Sequence, residues 1–142
     1  GPAWHPSASM GRMRAVYYRD LAGNEPVNAF IDRLDQKVQD EIDWHIDLLN
    51  ALDAHDPPLA FPHSSQVRGE LRELRCHFGR SLHRILYRRS EGLFVLLHMF
   101  EKRTGKVPAP EIVTAERRWD DFKARIDRQP RSGPRPAGHD AP

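Results

Sequence analysis

Apolar and polar positions change period several times along the 142-residue chain, and each change marks an element. Residues 13–18, Met-Arg-Ala-Val-Tyr-Tyr, are rich in β-branched and aromatic side chains and predict a first strand. Asn24 offers a helix cap and Pro26 suits a first turn. Val27, Phe30, Ile31 and Leu34 then recur at helical spacing as one apolar stripe. Asp35 offers a second cap. Val38, Ile42, Ile46, Leu49 and Leu52 carry the stripe through a longer helix, with Trp44 and His45 at its border. Asp40, Glu41, Asp43 and Asp47 occupy the opposite side. Asp56-Pro57-Pro58 ends this helix, because the residue before a proline is pushed out of the helical region. Residues 57–67 read as a loop, with Phe61 and Pro62 as its anchors.

From 69 to 110 the pattern becomes that of strands. Leu71-Arg72-Glu73-Leu74-Arg75 comes first, and His83-Arg84-Ile85-Leu86-Tyr87-Arg88-Arg89 second. The third segment, 93–100, is the most apolar run in the chain. Gly79 and the pair Glu91-Gly92 fall in the gaps, which predicts an antiparallel three-stranded meander. Ile112, Ala115, Trp119, Phe122 and Ile126 mark one face of a last helix. The order strand, helix, helix, three strands, helix is that of an α+β domain. The expected architecture is a four-stranded, mostly antiparallel sheet packed by an N-terminal helical hairpin, plus a C-terminal helix. Residues 1–12 read as a leader or tag remnant, 13–127 as the domain, and 128–142, whose stretch 128–136 lacks apolar residues, as a disordered tail.

Composition adds a polarity to this outline. The net charge is only +2, yet from 20 to 56 there are ten acids and two bases, and from 67 to 106 ten bases and four acids. A basic half of this kind is a candidate surface for nucleic acid. Cys76 is the only cysteine, so an internal disulfide is excluded and the cytoplasm is the expected compartment. No apolar run is long enough to span a bilayer, so no membrane partner is expected.

The histidines lack metal-ligand spacing, and neither a phosphate-binding glycine loop nor a nucleophilic serine motif is present, so no metal or cofactor is expected. What remains is an arginine set. In a meander, the end of the first strand and the end of the third both lie beside the start of the second. Arg75, Arg84, Lys102 and Arg103 are therefore expected to converge at one end of the sheet. Such a cluster can neutralise the charge of a phosphoryl transition state without metal. His83, His98 and Tyr87 are the nearby groups able to move a proton or donate a hydrogen bond.

Three motifs in order carry a resemblance. Leu71-Arg72-Glu73-Leu74-Arg75, then Arg84-Ile85-Leu86-Tyr87, then Leu96-Leu97-His98-Met99-Phe100-Glu101-Lys102-Arg103-Thr104-Gly105-Lys106-Val107-Pro108 resemble the phage-derived HigB-like branch of the RelE/ParE toxin superfamily. The resemblance runs from about Met13 to Ile126. It implies a small RelE-like toxin of a type II toxin-antitoxin system, paired with a helix-turn-helix antitoxin. RelE- and HigB-like toxins cleave mRNA on the ribosome, by attack of a ribose 2′-OH on the adjacent phosphate, and so inhibit translation. ParE-like toxins on the same fold act on DNA gyrase, and a member could also be inert and serve only to bind its antitoxin. The resemblance places the family's strand-end arginine at Arg75, its second-strand arginine at Arg84 and its basic pair at Lys102 and Arg103. With His98 these form the expected catalytic set. Arg68, Arg72, His83, Tyr87 and Lys106 are the positions expected to bind RNA. The usual second lysine of the basic pair is an arginine here, and the last helix has no tyrosine.

Overall fold

The computed structural model describes residues 11–128 and 134–140. Strand β1 (Arg14–Tyr17) leads into helices α1 (Pro26–Asp32) and α2 (Gln36–Asn50). Strands β2 (Ser64–Arg68), β3 (Leu71–Phe78), β4 (Ser81–Ser90) and β5 (Leu93–Glu101) follow, and helix α3 (Ala109–Arg128) closes the series. The five strands form one sheet in the order β1-β5-β4-β3-β2.

The α+β class stands, but the expected four-stranded sheet is corrected to a mixed sheet of five. The added strand, β2, lies in the stretch expected to be a loop. Ser64-Ser65-Gln66-Val67-Arg68 has no apolar alternation. It is a strand because its backbone pairs with β3, from Ser64 opposite Leu74 to Arg68 opposite Leu71. Strand β1 runs parallel to β5, from Arg14 opposite Leu93 to Tyr17 opposite Leu96. A parallel neighbour needs a long crossover, and the whole segment between the two strands supplies it. The meander is present: β3, β4 and β5 pair antiparallel in sequence. Its two tight turns use the left-handed region, at Gly79 (φ 59°) and at Glu91 (φ 55°).

The expected helical hairpin is corrected as well. Helices α1 and α2 touch each other little, and each packs mainly on the sheet, α1 on β5 and α2 on β3 and β1. Val27, Ile31, Ile42, Ile46 and Leu49 meet Leu74, Cys76, Ile85, Tyr87 and Leu96 on this face. The other face carries Val16, Leu86, Val95, Leu97 and Phe100 under Ala115, Trp119 and Phe122 of α3. Burial on both sides makes β5 and the central strand β4 the core of the domain.

Part of the stretch expected as a disordered tail is placed. Residues 134–137 lie along the outer edge of β1: the Tyr17 amide donates to the Arg135 carbonyl, and the Ala137 amide to the Ala15 carbonyl. Edge-strand groups left open by the sheet are thus satisfied. Asn50, buried at the end of α2, accepts from the Ala15 amide (2.7 Å) and donates to the Ala137 carbonyl (3.2 Å). The expected leader, 1–10 in particular, lies outside the described residues.

Candidate functional site

Strand register brings the arginines together. Arg75 of β3 sits directly opposite Arg84 of β4, and Arg84 sits opposite Phe100 of β5. Where β5 ends, the Lys102 amide donates to the Leu82 carbonyl at the start of β4. The loop 102–106 then folds back so that Arg84 Nη1 donates to the Gly105 carbonyl at 2.8 Å. Arg75, Arg84 and the basic loop therefore share one end of the sheet. Lys102, Arg103 and Lys106 are exposed, and among the described residues no carboxylate pairs with them.

Glu73 sits at the centre of this arrangement. Side chains alternate along a strand, so Glu73 and Arg75 project from the same face of β3. Glu73 is buried, with Arg75 Nη1 at 3.5 Å and Arg84 Nε at 3.6 Å from its two oxygens, and it accepts from the Ser65 hydroxyl at 2.7 Å. Two guanidiniums around one carboxylate leave a net positive charge. Arg75 Nε, Arg84 Nε and Glu73 Oε1 are buried without a hydrogen-bond partner among the described residues. Arg84 is 2% exposed, so its guanidinium holds Glu73 and the 102–106 loop rather than facing solvent. Arg75 is the more open of the two, at 16%, and lies over the ring of Phe61, 5.0 Å from its centroid.

The remaining expected site residues separate by face. His98 shares the face of Arg84 and stacks on Phe100, with ring centroids 6.0 Å apart. Both of its ring nitrogens are engaged. Arg118 donates to Nδ1 (3.0 Å), so the Nε2 proton points at Glu111 (3.1 Å). Burial pulls the His98 pKa below its ordinary value, and the Glu111 hydrogen bond only partly opposes this. His83, by contrast, points to the helical face and meets Phe30 of α1 edge-on, with its pKa lowered by burial. Tyr87 is buried on that face too, its hydroxyl bonded to Ser64 Oγ at 2.6 Å. Arg72, also there, donates to the Leu59 carbonyl (2.8 Å) and lines a cavity of about 380 Å³ with Tyr87, Arg89 and Phe94. Arg68 pairs with Glu116 of α3. The sheet thus lies between the basic end cluster and three of the residues expected beside it: His83, Tyr87 and Arg72.

Glu73, Ser65 and Phe61 are not among the residues expected to form the site. The signal for Glu73 was present, since it stands two residues before Arg75 and strand alternation puts both on one face. Phe61 was expected as a loop anchor, and it is instead 69% exposed. His77 follows Arg75 by two residues on β3 and is exposed; desolvation, then the Arg75 charge, lowers its pKa. Among the described residues no group of His, Cys, Asp or Glu is arranged to hold a metal ion, and no helix is long and apolar enough to cross a membrane.

The fold is a small α+β domain in which an Arg-Glu-Arg cluster and an exposed basic loop share one sheet end, an arrangement whose guanidinium forks are able to hold phosphate oxygens. Residues 29–120 match the family model described as Phage derived protein Gp49-like (DUF891). The chain belongs to that family, which is a RelE-like toxin family, and its class implies an antitoxin partner. The matched segment contains Glu73, Arg75, Arg84 and the whole 102–106 loop. None of the curated proteins matches the chain.

Proposed function

We propose that this chain is the toxin of a type II toxin-antitoxin pair of the HigB-like branch, acting in the cytoplasm as a ribosome-dependent mRNA endoribonuclease. The observation that carries the reading is that Arg75, Arg84 opposite it and the exposed basic loop that Arg84 holds share one sheet end. A guanidinium fork matches two phosphate oxygens and keeps its charge at neutral pH, so Arg75 suits the scissile phosphate. Lys102, Arg103 and Lys106 take the flanking phosphates and the developing charge. Arg84 acts as a positioning residue through Glu73 and the Gly105 carbonyl.

In the reaction the 2′-oxygen bonds to phosphorus and the bond from phosphorus to the 5′-oxygen breaks. A 2′,3′-cyclic phosphate and a 5′-hydroxyl result. A base takes the 2′-hydroxyl proton, and a proton is delivered to the leaving oxygen. His83 lies across the sheet and both nitrogens of His98 are occupied, which directs the proton-moving role to Lys102 or to exposed His77. The natural partners on this reading are mRNA in the ribosome and a helix-turn-helix antitoxin.

The test is primer extension on mRNA after brief induction, repeated in vitro with and without ribosomes. Cleavage that requires ribosomes and vanishes in Arg75→Ala is the expected result. Intact mRNA together with inhibited gyrase supercoiling moves the activity to gyrase. Intact mRNA with active gyrase leaves an antitoxin-binding protein without the nuclease.

A further inference from the structure

We propose that Phe61 is a stacking platform for one unpaired nucleobase, adjacent to the phosphate held by Arg75. The inference rests on the nucleic-acid reading of the cluster and adds a subsite to it. Phe61 is 69% exposed, in the connection between α2 and β2. An isolated exposed apolar side chain is ordinary, but this ring is held. The Arg75 guanidinium lies over it at 5.0 Å. The backbone beside it is tied to β3 and to itself: the Arg75 amide donates to the His63 carbonyl (2.7 Å), and the amides of His63 and Ser64 to the Ala60 carbonyl (3.0 and 3.2 Å). A second half-exposed ring, Trp44 at 48%, meets His63 edge-on with centroids 6.0 Å apart.

The physical argument concerns what can use such a ring. Its exposure leaves room for a flat partner while the guanidinium fixes its position, so a base can stack with little ordering cost. Aromatic rings beside a cationic groove are how single strands are held, since every base has a π-face while the phosphates carry the charge. Arg75 touches both halves of this arrangement. It stacks on Phe61 and reaches the Glu73 centre, so a base on Phe61 leaves its own phosphate beside Arg75 and the 102–106 loop. A duplex keeps its bases stacked inside and cannot use the platform, which makes single-stranded RNA with a splayed base the ligand class.

The experiment uses a 2′-O-methyl RNA octamer, resistant to 2′-OH attack, carrying one 2-aminopurine. Its fluorescence falls when the base stacks on an aromatic ring. The parent protein at low ionic strength is expected to bind and quench. Phe61→Trp keeps the quench. Phe61→Leu, which preserves apolar cover for Arg75 but removes the π-face, loses the quench and weakens binding about 5- to 150-fold, the range for one stacked base. Its circular dichroism should match the parent, because the ring is exposed. Equal quench and affinity in Phe61→Leu overturn the platform, as does a parent that binds no octamer. Ribosome-dependent cleavage with an unchanged quench in Phe61→Leu removes the platform and leaves the nuclease. A Phe61-dependent quench without mRNA cleavage does the reverse.

Discussion

Arg75 and Arg84 face each other across one rung of the sheet, yet their environments assign them different consequences. Arg84 is nearly enclosed and shares Glu73 with Arg75. Removing one partner of a buried charged cluster strands the other, at a cost of about 3–5 kcal/mol. Arg84→Ala is therefore expected to lose stability of that order in urea unfolding, and its loss of toxicity to follow from the lost fold. Arg75→Ala should lose less stability than Arg84→Ala, because Arg75 is the more open of the two and Arg84 and the Ser65 hydroxyl remain beside Glu73. Its toxicity should fall about 10²–10³-fold, the usual cost of one transition-state donor. Growth arrest on induction, paired with unfolding curves, separates the two. If Arg75→Ala and Lys102→Ala are both folded and as toxic as the parent, the strand-end cluster is not the active site. His77 adds a pH signature. If His77 rather than Lys102 is the base, its lowered pKa leaves it unprotonated at neutral pH, so cleavage should rise with pH only below about 6.5 and stay flat above it. In His77→Ala that acid limb should be missing. Cys76, buried and with its thiol pushed up first by desolvation and then by Glu41, should resist alkylation until the protein unfolds.

At the scale of elements, helix α3 is fixed by its apolar stripe. Trp119 is 8% exposed, stacks with Phe122 and carries the Arg88 guanidinium 4.4 Å above its ring. Trp119→Ala should cost about 3–5 kcal/mol. Val113, on the outer side of the same helix, is 55% exposed, and Val113→Ala should stay within about 0.5 kcal/mol. The 134–140 segment is held differently, by the β1 edge, by Asn50 and by the ion pair of His139 with Asp47. Its attachment should depend on pH. The Asp47 hydrogen bond raises the His139 pKa above 6.5, so its contribution is complete below about 6.5 and is lost as pH rises through the raised value. Burial raises the Asp47 pKa, but hydrogen bonds from Asn50 and His139 outweigh it and leave the pKa lowered. That contribution is present above about 3.8 and is lost as pH falls through the lowered value. The Tyr17 and Ala137 amides should accordingly be best protected between about pH 4 and 6.5 in hydrogen exchange, relative to His139→Ala.

For the whole molecule, the sheet divides the charge. The acid-rich segment 20–56 forms α1 and α2 on one face, and the free basic loop stands at the sheet end. On the proposed function the antitoxin covers that loop wholly or partly or holds the cluster inactive, and an acidic segment is the form complementary to it. Affinity for such a partner should weaken as salt rises from low to physiological ionic strength, measured by titration calorimetry. An affinity indifferent to salt would place the antitoxin on an apolar surface instead. Strand β5, buried on both faces and paired on both edges, should give the slowest amide exchange in the domain.

What the sequence determined by itself was local. The stripe from Ile112 to Ile126 has helical period, and the segments around Gly79 and Glu91-Gly92 alternate between turns, so helix α3 and the three-stranded meander were legible from spacing. The convergence of Arg75 and Arg84 followed from the meander, because antiparallel register is fixed by the turn. Strand β2 was not legible, because Ser64-Ser65-Gln66-Val67-Arg68 takes its conformation from hydrogen bonds to β3 rather than from its own side chains. Nor was the parallel pairing of β1 with β5, which joins residues about eighty apart in sequence through backbone contacts that leave no pattern in the sequence. Tertiary structure alone decided that His98 is locked between Glu111 and Arg118, that Arg84 is enclosed, and that Phe61 stands in solvent under a guanidinium. Each of these depends on which side chains meet across elements, and spacing along the chain carries no record of that.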